Sequence, residues 1–318
     1  MGKLIDGVWT DQPFPTDESG AFKRAPVTFR DWIEPGGRFA PEAGRYHLYV
    51  SLACPWAHRV LIHRKLRRLE DAIGLSVVHY EMLEDGWTFE DGPGVVPDPI
   101  HGARYMRDVY LAADPRFTGR VTVPVLWDRK EGTIVNNESR ELIRMLNTSF
   151  LELGDPSVRF FAPEDQAAID AAIDAIYEPI NNGVYRSGFA RSQPAYEAAV
   201  TELFDALDHW EGVLADQPYL TGARLTEADW CLFTTLLRFD AVYHGHFKCN
   251  LRRIVDYPHL SSYLRHLYQV PGVAETVSFE HIKKHYYRSH TSVNPSRVVP
   301  LGPLQDLNGP HDRDRFFA

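Results

Sequence analysis

From residue 46 to residue 147 the apolar positions switch repeatedly between a two-residue and a helical period. "YHLYVSL" is a short β-rich run and predicts a strand. In "WAHRVLIHRKLRRLE", Val60, Leu61, Leu66 and Leu69 fall near helical spacing among basic residues. "LSVVHYE" (75–81) reads as a second strand. "TVPVLWD" (122–128) and "TIV" (133–135) read as a third and fourth, joined by a hairpin turn at 129–132. "ESRELIRML" (138–146) is then a helix. The connection 82–121 is too long to lack structure of its own, and "ARYMRDVYLAAD" supplies a helix within it. The order β-α-β-connection-β-β-α predicts a small α/β domain over 46–150.

Beyond about residue 163 the pattern is helical throughout, predicting an all-helical domain over 160–290. Ile169, Ile173, Ile176, Tyr177 and Ile180 make one apolar stripe; Tyr196, Val200, Leu203, Phe204 and Leu207 make another. In "LTEADWCLFTTLLRF", Thr226 is followed three residues later by Asp229, and Leu225 and Trp230 flank them. That is a helix N-terminus with its cap and staple. "YPHLSSYLRHLYQV" is a further helix, ended by Pro271-Gly272. Residues 1–45 mix Gly, Pro and charge with dispersed aromatics (Trp9, Phe14, Phe22, Phe29, Trp32), which predicts an extended arm laid over a folded body rather than disorder. The Pro- and Gly-rich segment 291–318 is expected on the surface.

Composition narrows the class. The 318 residues are 44% hydrophobic, enough for a sizeable core, and the net charge of −9 offers nothing to nucleic acid or an anionic membrane. The opening "MGKLIDGVWTDQPFP" has no apolar signal core, and no apolar run reaches membrane-spanning length. Three cysteines at unrelated spacings make no disulfide framework, so a reducing cytoplasm is expected. His244, His246 and Cys249 could be metal ligands, but no partner pair completes a zinc set, and no metal is expected.

Three local features carry chemistry. Cys54 stands between an apolar run and Pro55 at a helix start. There the helix dipole and the following His58 and Arg59 would favour a thiolate, although an inert buried cysteine is an equal alternative. Cys231 lies inside an apolar helix and reads as core. Pro124 falls within a strand. Either the Val123–Pro124 bond is cis, turning the Val123 backbone outward toward an extended peptide-like ligand, or the strand is an edge with a trans proline. "NNES" opens a helix, so Glu138 and Ser139 lie in its first turn. They could take an ammonium and a carboxylate, or Asn137 could simply cap the helix.

Together, Cys-Pro-x-Ala at a strand-to-helix turn, Val-Pro before a hairpin, and Glu-Ser opening the next helix resemble the glutathione site of a glutathione transferase. That resemblance implies a thioredoxin-like N-terminal domain followed by an all-helical glutathione-transferase C-terminal domain. "GARLTEAD" is similar to the capping segment of that family's C-terminal domain. "CPWAHR", "DGWTF", "GRVTVPVLWD" and "TIVNNESRELIRMLN" resemble the xi class, the glutathionyl-hydroquinone reductases, over nearly the whole chain.

The resemblance implies Cys54 as catalytic cysteine, with glutathione as co-substrate held by Trp87, Arg120, Val123, Pro124, Glu138 and Ser139. Tyr185, Tyr243 and Tyr287, or its neighbour Tyr286, would form the aromatic substrate pocket. It implies reduction of glutathionyl-hydroquinones through a Cys54–glutathione mixed disulfide, in a homodimer. Ala57 stands where an internal resolving cysteine would be, so a second glutathione would resolve the intermediate. An omega-like thiol transferase or dehydroascorbate reductase, and a non-enzymatic binding module of the same fold, are the competing readings.

Overall fold

Every residue of the strand β3 (Tyr46–Val50) is buried, which fits its position inside a sheet covered on both faces. The computed structural model describes residues 2–11, 16–23 and 26–317; Phe14 of the arm lies outside them. The described residues form two compact units. The first takes the described parts of 1–13 and 25–159 together with Ser278–His285, and the second those of 14–24, 160–277 and 286–318.

In the first unit, β1 (Gly2–Ile5) and β2 (Val8–Asp11) precede β3, and α1 (Pro55–Leu66) and β4 (Ile73–Val77) follow it. Then come α2 (Met106–Ala113), β5 (Gly119–Arg120), β6 (Val125–Asp128), β7 (Thr133–Asn136) and α3 (Ser139–Thr148). The central sheet runs β4-β3-β6-β7. The β3–β4 pair is parallel and crosses over through α1, while β3–β6 and β6–β7 are antiparallel. This is the thioredoxin-like arrangement. Arg45 and Asp128, both buried, join the neighbouring ends of β3 and β6 through a guanidinium–carboxylate pair, with Arg45 Nε 2.9 Å from Asp128 Oδ2.

Three expectations shift. The second strand spans 73–77 rather than 75–81, because after Val77 the chain leaves the ladder for a single bridge to Val96. Pro124 stands just before β6 instead of inside a strand, so its missing N–H falls outside the ladder; the Val123–Pro124 bond is cis. The start of the arm is not merely extended. β1 pairs with β2 and with β5, forming a three-stranded antiparallel sheet in which Lys3 faces Arg120.

The second unit is helical: α4 (Gln166–Ile176), α5 (Gly183–Gly188), α6 (Gln193–Asp216), α7 (Glu227–Arg238), the short α8 (His244–His246) and α9 (Pro258–Tyr268). Helix α10 (Phe279–Ser289) contributes its residues from 286 onward. The Thr226–Asp229 capping box forms as its spacing predicts, with Trp230 fully buried behind it. Asp229 reaches further: its carboxylate also accepts from Leu220 N (2.9 Å) and Tyr263 Oη (2.8 Å).

The first apolar stripe breaks at one residue. Tyr177 is exposed at the start of a π-helical turn (Tyr177–Asn181), while Ile180 within that turn stays in the core. A second π-helical turn (Phe239–Tyr243) delivers Tyr243. The 291–318 segment is exposed at Leu301 and Leu304 but not at Arg313, which is fully buried and donates to Leu214, Gln217 and Pro218 carbonyls near the end of α6.

Candidate active site

Cys54 is the N-cap residue of α1, with Pro55 in the first helical position, where a missing N–H costs nothing. It alone of the three cysteines is partly exposed. Cys231 is fully buried, and burial pushes the Cys249 thiol up to about 12. The Cys54 Sγ–H donates weakly to the Val123 carbonyl at 3.6 Å, so the thiol faces the backbone segment just before Pro124.

That segment is anchored by a residue the sequence reading did not single out. Tyr110, fully buried on α2, receives the Thr122 N–H (3.2 Å) and donates to the Thr122 carbonyl (3.0 Å). The Asn137 side-chain amide donates to the same Tyr110 oxygen at 3.0 Å. Asn137 therefore does not cap α3. Glu138 does: it occupies the N-cap rather than the first turn, its carboxylate accepting from Arg140 N at 3.1 Å. Asn136 Oδ1 accepts the Glu138 N–H at 2.7 Å, which fixes the turn. Ser139, buried as the first helical residue, lies with its Oγ 3.5 Å from Glu138 Oε1.

Trp87 lies in the loop between β4 and α2. Its carbonyl accepts from Met106 N at 2.9 Å, and its indole stacks on His285. The preceding Gly86 has φ +73°, and a Cβ there would sit 2.8 Å from the Trp9 ring. Trp9 on β2, whose indole N–H donates to Glu84 O at 2.9 Å, thus buttresses the "DGWTF" loop. Arg120 is half-buried on β5.

In the second unit the phenols meet. Tyr286 Oη is 2.6 Å from Tyr185 Oη and 3.0 Å from Tyr243 Oη. Burial holds the Tyr243 and Tyr286 phenols well above their ordinary range, so both remain proton donors at neutral pH. The residue the structure brings to this cluster is Tyr286, not Tyr287. One position along a helix rotates the side chain by about 100°, and Tyr287 instead donates to Ala241 O at 3.4 Å beside the His246 ring. His246 pairs with His290 at 3.2 Å, and among the described residues no group of three or more His, Cys, Asp or Glu side chains is placed to hold a metal ion. No helix among the described residues is long and apolar enough to cross a membrane.

The glutathione S-transferase N-terminal domain family matches residues 53–149, and the corresponding C-terminal domain family matches residues 193–266. Glutathionyl-hydroquinone reductase YqjG of Escherichia coli is 52% identical across all of both chains, and its glutathione-bound structure aligns with 98% of this chain and 99% of its own at a TM-score of 0.90. Glutathionyl-hydroquinone reductase PcpF of Sphingobium chlorophenolicum is 54% identical over 97% of this chain and 98% of its own. A xi-class transferase from Natrialba magadii, 52% identical, matches 99% of this chain and 98% of its own at a TM-score of 0.94. The chain belongs to the glutathione S-transferase family and, within it, to the xi class of glutathionyl-hydroquinone reductases.

Proposed function

We propose that this protein reduces glutathionyl-hydroquinones to hydroquinones, with Cys54 as nucleophile and glutathione as co-substrate. The observation that carries the reading is the placement of Cys54: partly exposed, at the start of a helix, its sulfur against the Val123 carbonyl in the same unit as Glu138 and Ser139. Those residues suit a zwitterionic tripeptide. Ser139 and the first amides of α3 suit its γ-glutamyl carboxylate, Glu138 the neighbouring ammonium, the Val123 backbone its cysteinyl peptide, and Trp87 and Arg120 the remaining length.

In this reading the Cys54 thiolate attacks the sulfur of the glutathionyl group. The S–S bond of a Cys54–glutathione mixed disulfide forms as the aromatic C–S bond breaks, and the ring carbon leaves with the electron pair and takes up a proton. Tyr185, Tyr243 and Tyr286 hydrogen-bond the ring oxygens and relay that proton as general acids. Exchange with a second glutathione then releases oxidised glutathione and restores the Cys54 thiol. The glutathionyl-hydroquinone is thereby reduced to the hydroquinone, and two glutathionyl units leave as one disulfide. We propose further that the protein works as a homodimer, which the family resemblance implies, and in a reducing cytoplasm, which its three free cysteines favour.

Turnover of a synthetic glutathionyl-hydroquinone with added glutathione tests the reading, using wild type and Cys54→Ala side by side. Dehydroascorbate and hydroxyethyl disulfide serve as competing substrates. Release of free hydroquinone that disappears in Cys54→Ala is expected. Turnover of only the competing substrates would move the protein to an omega-like activity, and an unaffected Cys54→Ala would remove Cys54 from the mechanism.

A further inference from the structure

The β1–β2 hairpin meets two segments that carry glutathione-site residues, and it meets them with different strands. Through β1, Lys3 pairs with Arg120 and Leu4 with Gly119, which fixes the backbone of β5. The turn of the hairpin is tied to the chain just before β5: Gly7 N donates to Phe117 O at 3.1 Å and Asp6 N to Thr118 Oγ1 at 2.8 Å. On β2, Trp9 stands opposite Leu4, and its indole N–H donates to Glu84 O at 2.9 Å, a residue 75 positions away. A Cβ at Gly2 would sit 2.5 Å from the Trp9 ring, and one at Gly86 2.8 Å from it. The indole thus occupies space that only two glycines leave open.

Arg107 on α2 completes the clamp. Its guanidinium stands 3.8 Å from the Tyr105 ring centroid and 5.1 Å from that of Trp9. Its Nη1 donates to Asp85 O at 2.8 Å and its Nη2 to Asp85 Oδ1 at 2.9 Å. Three consecutive residues, Glu84, Asp85 and Gly86, are held by two side chains from outside their loop. Trp87 is the next residue.

We infer that the amino-terminal hairpin is part of the glutathione site, with Trp9 and Arg107 as positioning residues that hold Trp87 where it distinguishes a tripeptide thiol from a dipeptide one. The inference rests on the assignment of Trp87 and Arg120 to the glycyl end of glutathione. An indole offers an apolar face, one N–H donor and no acceptor, and a guanidinium only donates. Both suit the glycyl carboxylate, provided that they face one point.

The backbone around Trp87 does not secure that by itself. On either side of it the pairing is reduced to isolated bridges, Leu83 with Gly86 and Thr88 with Tyr105. The clamp from Trp9 and Arg107 supplies the missing constraint. Because the same hairpin also pairs with β5, one body fixes both donors before the ligand arrives, and less ordering is left for binding to oppose.

Isothermal titration with two probes tests this: glutathione, and γ-glutamylcysteine, which is glutathione without its glycine. Full-length Cys54→Ser protein is the background, so that no mixed disulfide forms. That background is expected to prefer glutathione by roughly ten- to a hundredfold, the size of a charge-assisted hydrogen bond. Trp9→Ala should remove most of that preference by weakening glutathione alone, with the dipeptide's affinity little changed. Arg107→Met should act in the same direction, and the double variant should lose little more, because both side chains hold one loop. Trp9→Phe, which keeps a ring but not the N–H, should fall between Trp9→Ala and the background.

Equal weakening of both probes by Trp9→Ala would mean that the hairpin only stabilises the fold, and would overturn the proposal, as would a preference left intact. Trp87→Ala tests the assignment beneath it. If that variant keeps the background's preference, Trp87 does not read the glycine, and the assignment fails whatever the hairpin does. Should Trp9→Ala not fold, Arg107→Met decides: a folded variant with the full preference for glutathione overturns the proposal.

Discussion

The imidazole of His285 lies nearly parallel to the indole of Trp87, with ring centroids 4.8 Å apart and 21° between the planes. His285 Nδ1–H donates to the Tyr80 carbonyl at 2.8 Å, so the ring is fixed from its edge while its face backs the tryptophan. If Trp87 walls the glutathione site, His285 decides how rigid that wall is. His285→Ala should weaken glutathione binding roughly two- to tenfold, the worth of one aromatic pair. Titration calorimetry on the variant checks it, and an unchanged affinity would show that Trp87 needs no support or makes no contact.

The shared position of the Tyr286 hydroxyl between Tyr185 and Tyr243 separates two adjacent tyrosines. Tyr286→Phe keeps the ring and removes the hydroxyl that joins the other two phenols. Turnover of a glutathionyl-hydroquinone should drop by about a hundredfold or more, the usual size of a lost general acid. Tyr287→Phe should leave kcat close to wild type, since its hydroxyl donates to the Ala241 carbonyl. Steady-state kinetics on the two variants checks this, and the reverse ranking would assign the proton relay to Tyr287.

His47 gives the first unit an acid limit. Arg129 donates to His47 Nδ1 (3.1 Å), so it is Nε2–H that donates to Ser76 Oγ (2.8 Å), and the ring is neutral. Burial, aided by the Arg129 charge, holds its pKa down at about 4, and burial brings His63 on α1 to about 4 as well. An unfolded histidine protonates near pH 6.5. Between these values the unfolded chain binds more protons, so stability is full above about pH 6.5 and is lost as the pH falls toward about 4. Urea midpoints at neutral and acid pH should show this slope, and His47→Gln should make it shallower. An unaltered slope in that variant would mean that His47 protonates without cost.

Asp229 should prove the most sensitive carboxylate of the second unit. It closes the α7 capping box and also accepts from Leu220 N and Tyr263 Oη. Asp229→Ala removes the cap and strands buried donors, and is expected to cost at least about 3 kcal/mol. Denaturant unfolding measures it. A loss under about 1 kcal/mol would show that solvent satisfies those donors.

The sequence was most readable where the determinants are local. The Thr226–Asp229 box spans four residues, and Cys54-Pro55 announces a helix start on its own. Glu138 was harder, because its move from the first turn to the cap follows from Asn137 being drawn off to Tyr110, a contact 27 residues away. Tyr286 could not be told from Tyr287 by spacing, since the choice depends on phenols up to 101 residues distant. Arg59 and Ser139 are 80 residues apart, and only the packing of α1 on α3 brings them together. The hairpin at the start of the arm was hidden for a related reason: β1 is completed by β5, a two-residue strand with no pattern of its own.

Arg313 has a consequence for the order in which the second unit can mature. The carbonyls it satisfies, at Leu214, Gln217 and Pro218, precede it by 99, 96 and 95 residues. While the chain is being made, that end of α6 must stay hydrated until nearly a hundred further residues have emerged. Closure of the helical unit is therefore a late event, and a chain interrupted before residue 313 keeps a wet seam at the foot of its longest helix.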